Sequence, residues 1–261
     1  MKIFEIKPTS KRSRIYICGL KIISIPIKIK EFVINTNKEK FGVSYSVFDG
    51  EELLEESIRS IRNEVDYINI VYQTTSWYGN KCSKDLLPTI DRIKEKGLVD
   101  EIIFFEPDLK KSPQFNEAKK RNIGLKYAIN SKTNYFMTMD CDEMYKEAEL
   151  KTAKEYLLDK NITHSYCKQI QFNEKKEVLP FINAGFIQFF SKVDKHSLLG
   201  DNHNCPCLVD PTRMVLDRKN SKHYMLHNIS MLHYSLFRKD LKSKFVNSSN
   251  EYIRDNTLKS V

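Results

Sequence analysis

Three carboxylates in four positions dominate the chemistry this sequence can do: Asp140-Cys141-Asp142-Glu143. They follow directly on Tyr135-Phe136-Met137-Thr138-Met139, a nearly all-apolar run of the kind a strand buried on both faces requires. Carboxylates packed this closely repel one another. They stay ionised together only when a cation or hydrogen-bond donors neutralise them. Hard oxygen ligands at this density suit Mg²⁺ or Mn²⁺ shared with substrate phosphates. The plainer alternative is helix capping in water, but capping needs one carboxylate rather than three.

The elements that must position this cluster can be read from periodicity. From Phe41 onward strand and helix patterns alternate. Gly42–Phe48, Tyr67–Gln73, Glu101–Phe105 and Tyr135–Met139 read as strands. Asp49 opens a helix with Glu52 three residues on, an acidic variant of the capping box, and Leu54, Ile58 and Ile61 form its apolar stripe. Asp85–Lys96 reads as a helix stopped by Gly97, and Ser112–Asn130 as another. Short connections between alternating elements imply right-handed crossovers and a mainly parallel sheet. In such sheets ligands lie beyond the carboxyl ends of the strands. After Glu143 the pattern turns mixed: a helix at Glu147–Leu158, strand-like segments at Thr163–Phe172 and Phe181–Phe190, then a basic C-terminal segment. This half is expected to form the second wall of a cleft.

The net charge of +9 on 261 residues resembles a nucleic-acid signal until it is located. Ten basic and three acidic side chains lie in residues 1–40, leaving 33 and 31 in the remainder. The body is thus nearly neutral, which disfavours a nucleic-acid partner, since phosphate tracking needs a concentrated basic face. In the extension Ile23, Ile25, Ile27 and Ile29 alternate with Ser24, Pro26, Lys28 and Lys30. Gly19 separates this run from Arg14–Cys18, so a hairpin is expected, with Pro26 confining its strand to an edge. Its lysines either dock on an anionic membrane surface or are merely solvated. The expected organisation is 1–40 as extension and linker, then 41–145 and 146–261 as two halves of one domain. Six cysteines are too sparse for a disulfide scaffold, and Cys205-Pro206-Cys207 lacks the C-x-x-C spacing. With no apolar run near the roughly 18 residues of a spanning helix and no signal-peptide core, the expected location is the cytoplasm. The inner face of the plasma membrane is the surface the extension would meet there.

An apolar strand ending in D-x-D, preceded by a helix reading Ala118-Lys119-Lys120-Arg121-Asn122-Ile123-Gly124-Leu125-Lys126-Tyr127-Ala128, resembles the GT-A-fold nucleotide-sugar glycosyltransferases. The resemblance covers about residues 41–158. It implies an α/β, Rossmann-like GT-A fold with helices on both faces of a mainly parallel sheet. It also implies a nucleoside-diphosphate sugar donor, and a glycan or lipid-linked glycan acceptor in bacterial capsule or lipopolysaccharide assembly. Asp140 would meet the ribose or the water shell of Mn²⁺ or Mg²⁺, and Asp142 would ligate the metal on the diphosphate. Arg121 and Asn122 would address the nucleotide or the Asp140 loop. The residues alone offer an alternative for Asn122, an amide bonded to neighbouring backbone. Where many relatives carry an Asp-rich segment, this chain has Gln73-Thr74-Thr75-Ser76, so recognition there would use amides and hydroxyls such as Thr75. Asp49 would contact the nucleotide or cap its helix.

Such transferases often recruit a late histidine to the metal. His233 is the preferred ligand over His227, because Arg238 and Lys239, which could hold the departing diphosphate, lie nearer. A satisfied core histidine is the alternative reading. An inverting transfer needs a base for the acceptor hydroxyl, and Asp201 and Asp210 are its candidates, with Asx-turn roles as the alternative. Asp142→Ala is expected to abolish transfer with little loss of folding. Rival readings are a sugar nucleotidyltransferase, disfavoured because only Gly42 and Gly50 lie near the first strand, and a catalytically silent, membrane-docked binding module.

Overall fold

The computed structural model describes residues 39–173, 175, 177–179, 185–200, 211–217, 220–249 and 254–255, and the backbone of 4–8, 12–17 and 20–26. The chain divides into two compact units, Met1–Lys38 and Glu39–Val261.

The first unit is an antiparallel sheet of β1 (Phe4–Pro8), β2 (Arg12–Ile17) and β3 (Leu20–Pro26). The expected hairpin is β2–β3, and β1 is a strand the periodicity did not reveal. Pro26 ends β3, which is an edge strand, where a missing N–H costs no ladder bond. Ile27 and Ile29 lie outside the described residues.

The second unit runs β4 (Phe41–Val47), α1 (Glu51–Ile61), β5 (Tyr67–Tyr72), α2 (Leu86–Glu95), β6 (Glu101–Phe104), α3 (Pro113–Asn130), β7 (Tyr135–Met139), β8 (Glu143–Met144), α4 (Glu147–Asp159), β9 (His164–Gln171), β10 (Phe186–Lys192), β11 (Leu199–Gly200), β12 (Met214–Val215), β13 (His223–His233) and α5 (Leu241–Val246). Eight strands form one sheet in the order β6-β5-β4-β7-β10-β9-β13-β8. The first four are mutually parallel, and the rest are mixed. The expected Rossmann-like α/β architecture is the one observed.

Strand period explains the two faces. Val43, Tyr45, Ile68, Ile70, Met137 and Met139 join the stripes of α1, α2 and α4 in one apolar core. Phe136, pointing the other way, joins Leu125 and Ala128 of α3. Helix α2 ends in a Schellman motif, with Gly97 at φ 63 and Leu98 N–H bonded to Ile93 C=O. Helix α3 starts on Ser112, whose hydroxyl accepts Phe115 N–H, with Pro113 in the first turn.

The chain moves outward from β4 through β5 to β6, then returns to β7 on the other side of β4. The order reverses between β4 and β7, and the crevice beyond their carboxyl ends is where such sheets hold ligands. Phe48-Asp49 and Asp140–Asp142 leave the sheet there, and Glu143 opens β8.

Candidate functional site

Helix α3 forms the site's back wall, and it does so with polar residues. Its most buried positions include Asn116, Lys120, Arg121 and Gly124. Gly124 lies against Ser44 and Asn69, and a Cβ there would stand 2.7 Å from Ser44 Cβ. That close approach lowers the preceding turn of α3, with Lys120 and Arg121, onto the ends of β4 and β7. Arg121 donates to Thr138 Oγ1 and reaches Glu117 at 3.2 Å and Asp140 at 3.4 Å. The expected Arg121–Asp140 pairing is therefore present. Asn122 is not in the crevice. It donates to Ala118 C=O and Leu199 C=O and accepts Leu199 N–H, so its amide is committed to fastening α3 to β11. This replaces the expected nucleotide contact, because both of its N–H groups already have acceptors.

Lys120 escaped the sequence reading. It is 1% exposed, donates to Val47 C=O at 2.8 Å and lies over the Trp77 ring. Burial pushes its ammonium down to about 7. The unfolded chain then holds this proton up to the ordinary lysine range, so stability should rise with pH between about 7 and 10. In Lys120→Met that rise in the urea midpoint should shrink. An unchanged slope would place the titration elsewhere.

The acidic cluster is neutralised from several sides. Asp140 accepts Arg213 Nη2 at 2.9 Å. Glu143 accepts both contacts of Arg213 Nη1, at 2.9 and 3.1 Å, and its own carboxylate caps Asp140 N–H at 3.1 Å. Burial pushes the Glu143 carboxyl up to about 7 against the pull of Arg213. Asp142, 1% exposed, receives Arg238 at 2.7 Å and Lys244 at 2.8 Å on one oxygen, and His233 Nε2 lies 3.6 Å from the other. Burial alone would raise its pKa, but Arg238, Lys244 and His233 outweigh it and hold the carboxyl well below the usual range. Arg238 also binds Asp49. Burial opposes its charge, yet Asp142 and Asp49 raise its pKa further still.

Asp49 is thus in the crevice and not the helix cap. The cap position of α1 is Gly50, at φ 76, where a Cβ would strike the Arg238 guanidinium. Of the expected basic pair, Arg238 enters the site, while Lys239 is exposed and its backbone N–H donates to Glu52. Lys244 on α5 takes its place. Arg213 and Lys244 had no sequence signal beyond their charge, since each finds its carboxylate across a long stretch of chain. Thr75 lies in the loop after β5, its carbonyl accepting the Gln73 amide. Among the described residues no contact ties its side chain to the acidic cluster. Asp201 and Asp210 lie outside the described residues.

His233 reaches Asp142 because β13 pairs with β8 at His233–Glu143 and Tyr234 N–H bonds Asp142 C=O. The expected Mn²⁺ or Mg²⁺ does not fit this arrangement. Arg238 and Lys244 already compensate Asp142, and Arg213 compensates Asp140. Nor do Asp140, Asp142 and His233 bring ligand atoms together as one set; among the described residues a different trio does so. The Gln169 amide nitrogen also lies 2.8 Å from His233 Nδ1, which puts the ring proton on Nε2, facing Asp142.

The C-terminal stretch is also tied to the loop after β5 and to the first turn of α3. Tyr78 donates to Ser248 C=O, Asn80 to Asn247, and Gln114 to Ser249 C=O. Together the carboxylates and basic groups form a paired, largely buried cluster beyond the carboxyl ends of β4 and β7.

No family model and no curated protein matches the sequence. Among solved structures the chain is similar to S. aureus TarS, with 12% identity and a TM-score of 0.48 over 84% of this chain and 42% of that one. The S. aureus TarS 1-349 complex with UDP gives 14% identity and a TM-score of 0.38 over 54% of this chain and 38% of that one. Its complex with UDP-GlcNAc gives 15% identity and a TM-score of 0.38 over 54% and 37%. The chain therefore spans less than half the length of these three structures.

Proposed function

We propose that this chain is a glycosyltransferase that moves a sugar from a nucleoside-diphosphate sugar to an acceptor hydroxyl, in the assembly of a bacterial surface glycan such as capsule or lipopolysaccharide. The observation that carries the reading is the cluster of Asp49, Asp140, Asp142 and Glu143 at the β4/β7 switch point, interleaved with Arg121, Arg213, Arg238 and Lys244. Such a wall can offer carboxylates to a ribose and cations to a diphosphate. Arg238 and Lys244 exchange Asp142 for the departing diphosphate and meet its growing charge. Asp210 or Asp201 serves as the base for the acceptor.

Titration calorimetry with a panel of nucleoside-diphosphate sugars, UDP-GlcNAc among them, followed by product analysis, tests the assignment. Binding and transfer that survive EDTA are expected, because the protein's own cations serve the diphosphate. Loss of transfer in EDTA with recovery in Mn²⁺ would restore the metal. A folded chain that binds no nucleotide would sink the reading altogether.

The basic extension is proposed to dock on anionic lipid, each Lys or Arg near the surface contributing about 1 kcal/mol. Deleting residues 1–38 should weaken sedimentation with phosphatidylglycerol vesicles while leaving neutral vesicles unaffected. Unchanged sedimentation would make the extension a structural annex.

A further inference from the structure

Strands β9 and β13 are parallel neighbours, in a register that sets His164 opposite His223. Residues opposed in this way share a face, and the two imidazoles stack with centroids 4.9 Å apart. Asp217, two residues beyond β12, brings a carboxylate to the same place. Its Oδ1 lies 2.9 Å from His223 Nε2 and 3.8 Å from His164 Nε2. The ligand atoms of all three lie within 4.8 Å of one another.

The surroundings orient these rings. Thr163 Oγ1 gives its only proton to Lys222 C=O and accepts Lys222 N–H. Its contact with His164 Nδ1, at 3.2 Å, therefore takes the proton from the ring. His164 Nε2 is left as a lone pair directed at Asp217. The Tyr166 hydroxyl, 2.8 Å from His223 Nδ1, can accept that ring's proton in the same way. Outer partners on Nδ1 with Nε2 facing inward are the usual setting of a metal-binding imidazole. A tetrahedral ion with bonds near 2.0–2.1 Å holds its ligands about 3.3 Å apart, and the observed separations bracket that value. A cavity of about 230 Å³ beside His164, bordered by Asp194 and Val215, has room for a further ligand such as water.

We propose that His164, His223 and Asp217 form a site for a borderline divalent cation of the Zn²⁺ class. Two nitrogens and one oxygen select such an ion over Mg²⁺. The trio is distinct from the acidic cluster after β7, but the two are linked along the chain. Arg213, four residues before Asp217, holds Asp140 and Glu143. An ion at this site fastens the segment that carries Arg213 to the β9–β13 pair.

The test is zinc content and affinity of the full chain by elemental analysis and competition titration, with Co²⁺ as a spectroscopic probe. The wild-type chain should retain about one equivalent and show the intense visible bands of four-coordinate Co²⁺. Asp217→Asn and His223→Gln change partly exposed groups and should each weaken binding at least about tenfold, with the circular dichroism spectrum unchanged. Cys205→Ser/Cys207→Ser should bind as wild type does. A folded wild-type chain without zinc, equal binding in the Asp217 and His223 variants, or loss confined to the cysteine variant would each overturn the proposal.

Discussion

Asp142→Ala should abolish transfer and also cost the fold about 3–5 kcal/mol, the range for removing one partner of a buried ion pair. The expectation of an innocuous substitution does not survive the geometry. Asp142 is 1% exposed and is the common partner of Arg238 and Lys244. Without it, a guanidinium whose side chain is 7% exposed retains, among the described residues, Asp49 as its carboxylate partner. Urea unfolding measures the loss. Arg238→Met added to Asp142→Ala should recover part of the stability, since removing both partners costs less than stranding one. Transfer should stay absent in the double variant. If Asp142→Ala unfolds at the wild-type midpoint, the ion pair is not an element of the fold. Acid supplies a second readout. The Asp142 carboxyl is depressed in the folded chain, so its contribution is complete above about pH 4, where a free aspartate ionises, and is lost as pH falls toward the depressed value. The Asp142 variants should lack that part of the acid-induced loss.

Gly124→Ala should destabilise by about 3 kcal/mol, the upper end of the range for overpacking. The added methyl would overlap the Ser44 hydroxyl and stand 2.7 Å from Ser44 Cβ and 3.2 Å from Asn69 Oδ1. Neither neighbour is the far end of a flexible chain. Both belong to central strands, and Asn69 donates to Gly124 C=O itself. Relief requires α3 to lift, which would also draw Arg121 away from Thr138 and Asp140. Ser44→Ala should rescue only in part, because Cβ remains. A Gly124→Ala chain with wild-type stability would show that α3 does not depend on this close approach.

The elements legible in the sequence were those whose burial follows a simple period. Tyr135–Met139 is uniformly apolar because both faces are covered, and its bounds were read as they stand. Gly97 marked the end of α2 because few other residues tolerate its backbone angle. Helix α3 was legible in extent but not in orientation. Ala118, Asn122, Leu125 and Ile129 share one face at helical spacing, yet of these four Leu125 alone is fully buried, and the chain buries Asn116, Lys120, Arg121 and Gly124 instead. Hydrophobic periodicity is blind to a face whose buried members are charged and paired. The same blindness applies to Arg213 and Lys244, whose role comes from carboxylates distant in sequence. Asp49 stays open between a ligand contact and a helix cap in the sequence, because a carboxylate before a helix resembles a cap, and only the third dimension supplies Arg238 as its partner.

The bond from Arg238 to Asp49 spans 189 residues, and that to Asp142 spans 96. Contacts of such separation form late, since the intervening chain must first be ordered. On the ribosome the parallel half of the sheet can assemble as it emerges, but Asp142 meets Arg238 and Lys244 only once those residues have been made. Assembly of the crevice therefore waits on synthesis through residue 244. A nascent chain halted between residues 213 and 238 should present Asp49 and Asp142 without Arg238 and Lys244, while Asp140 and Glu143 already have Arg213 within reach.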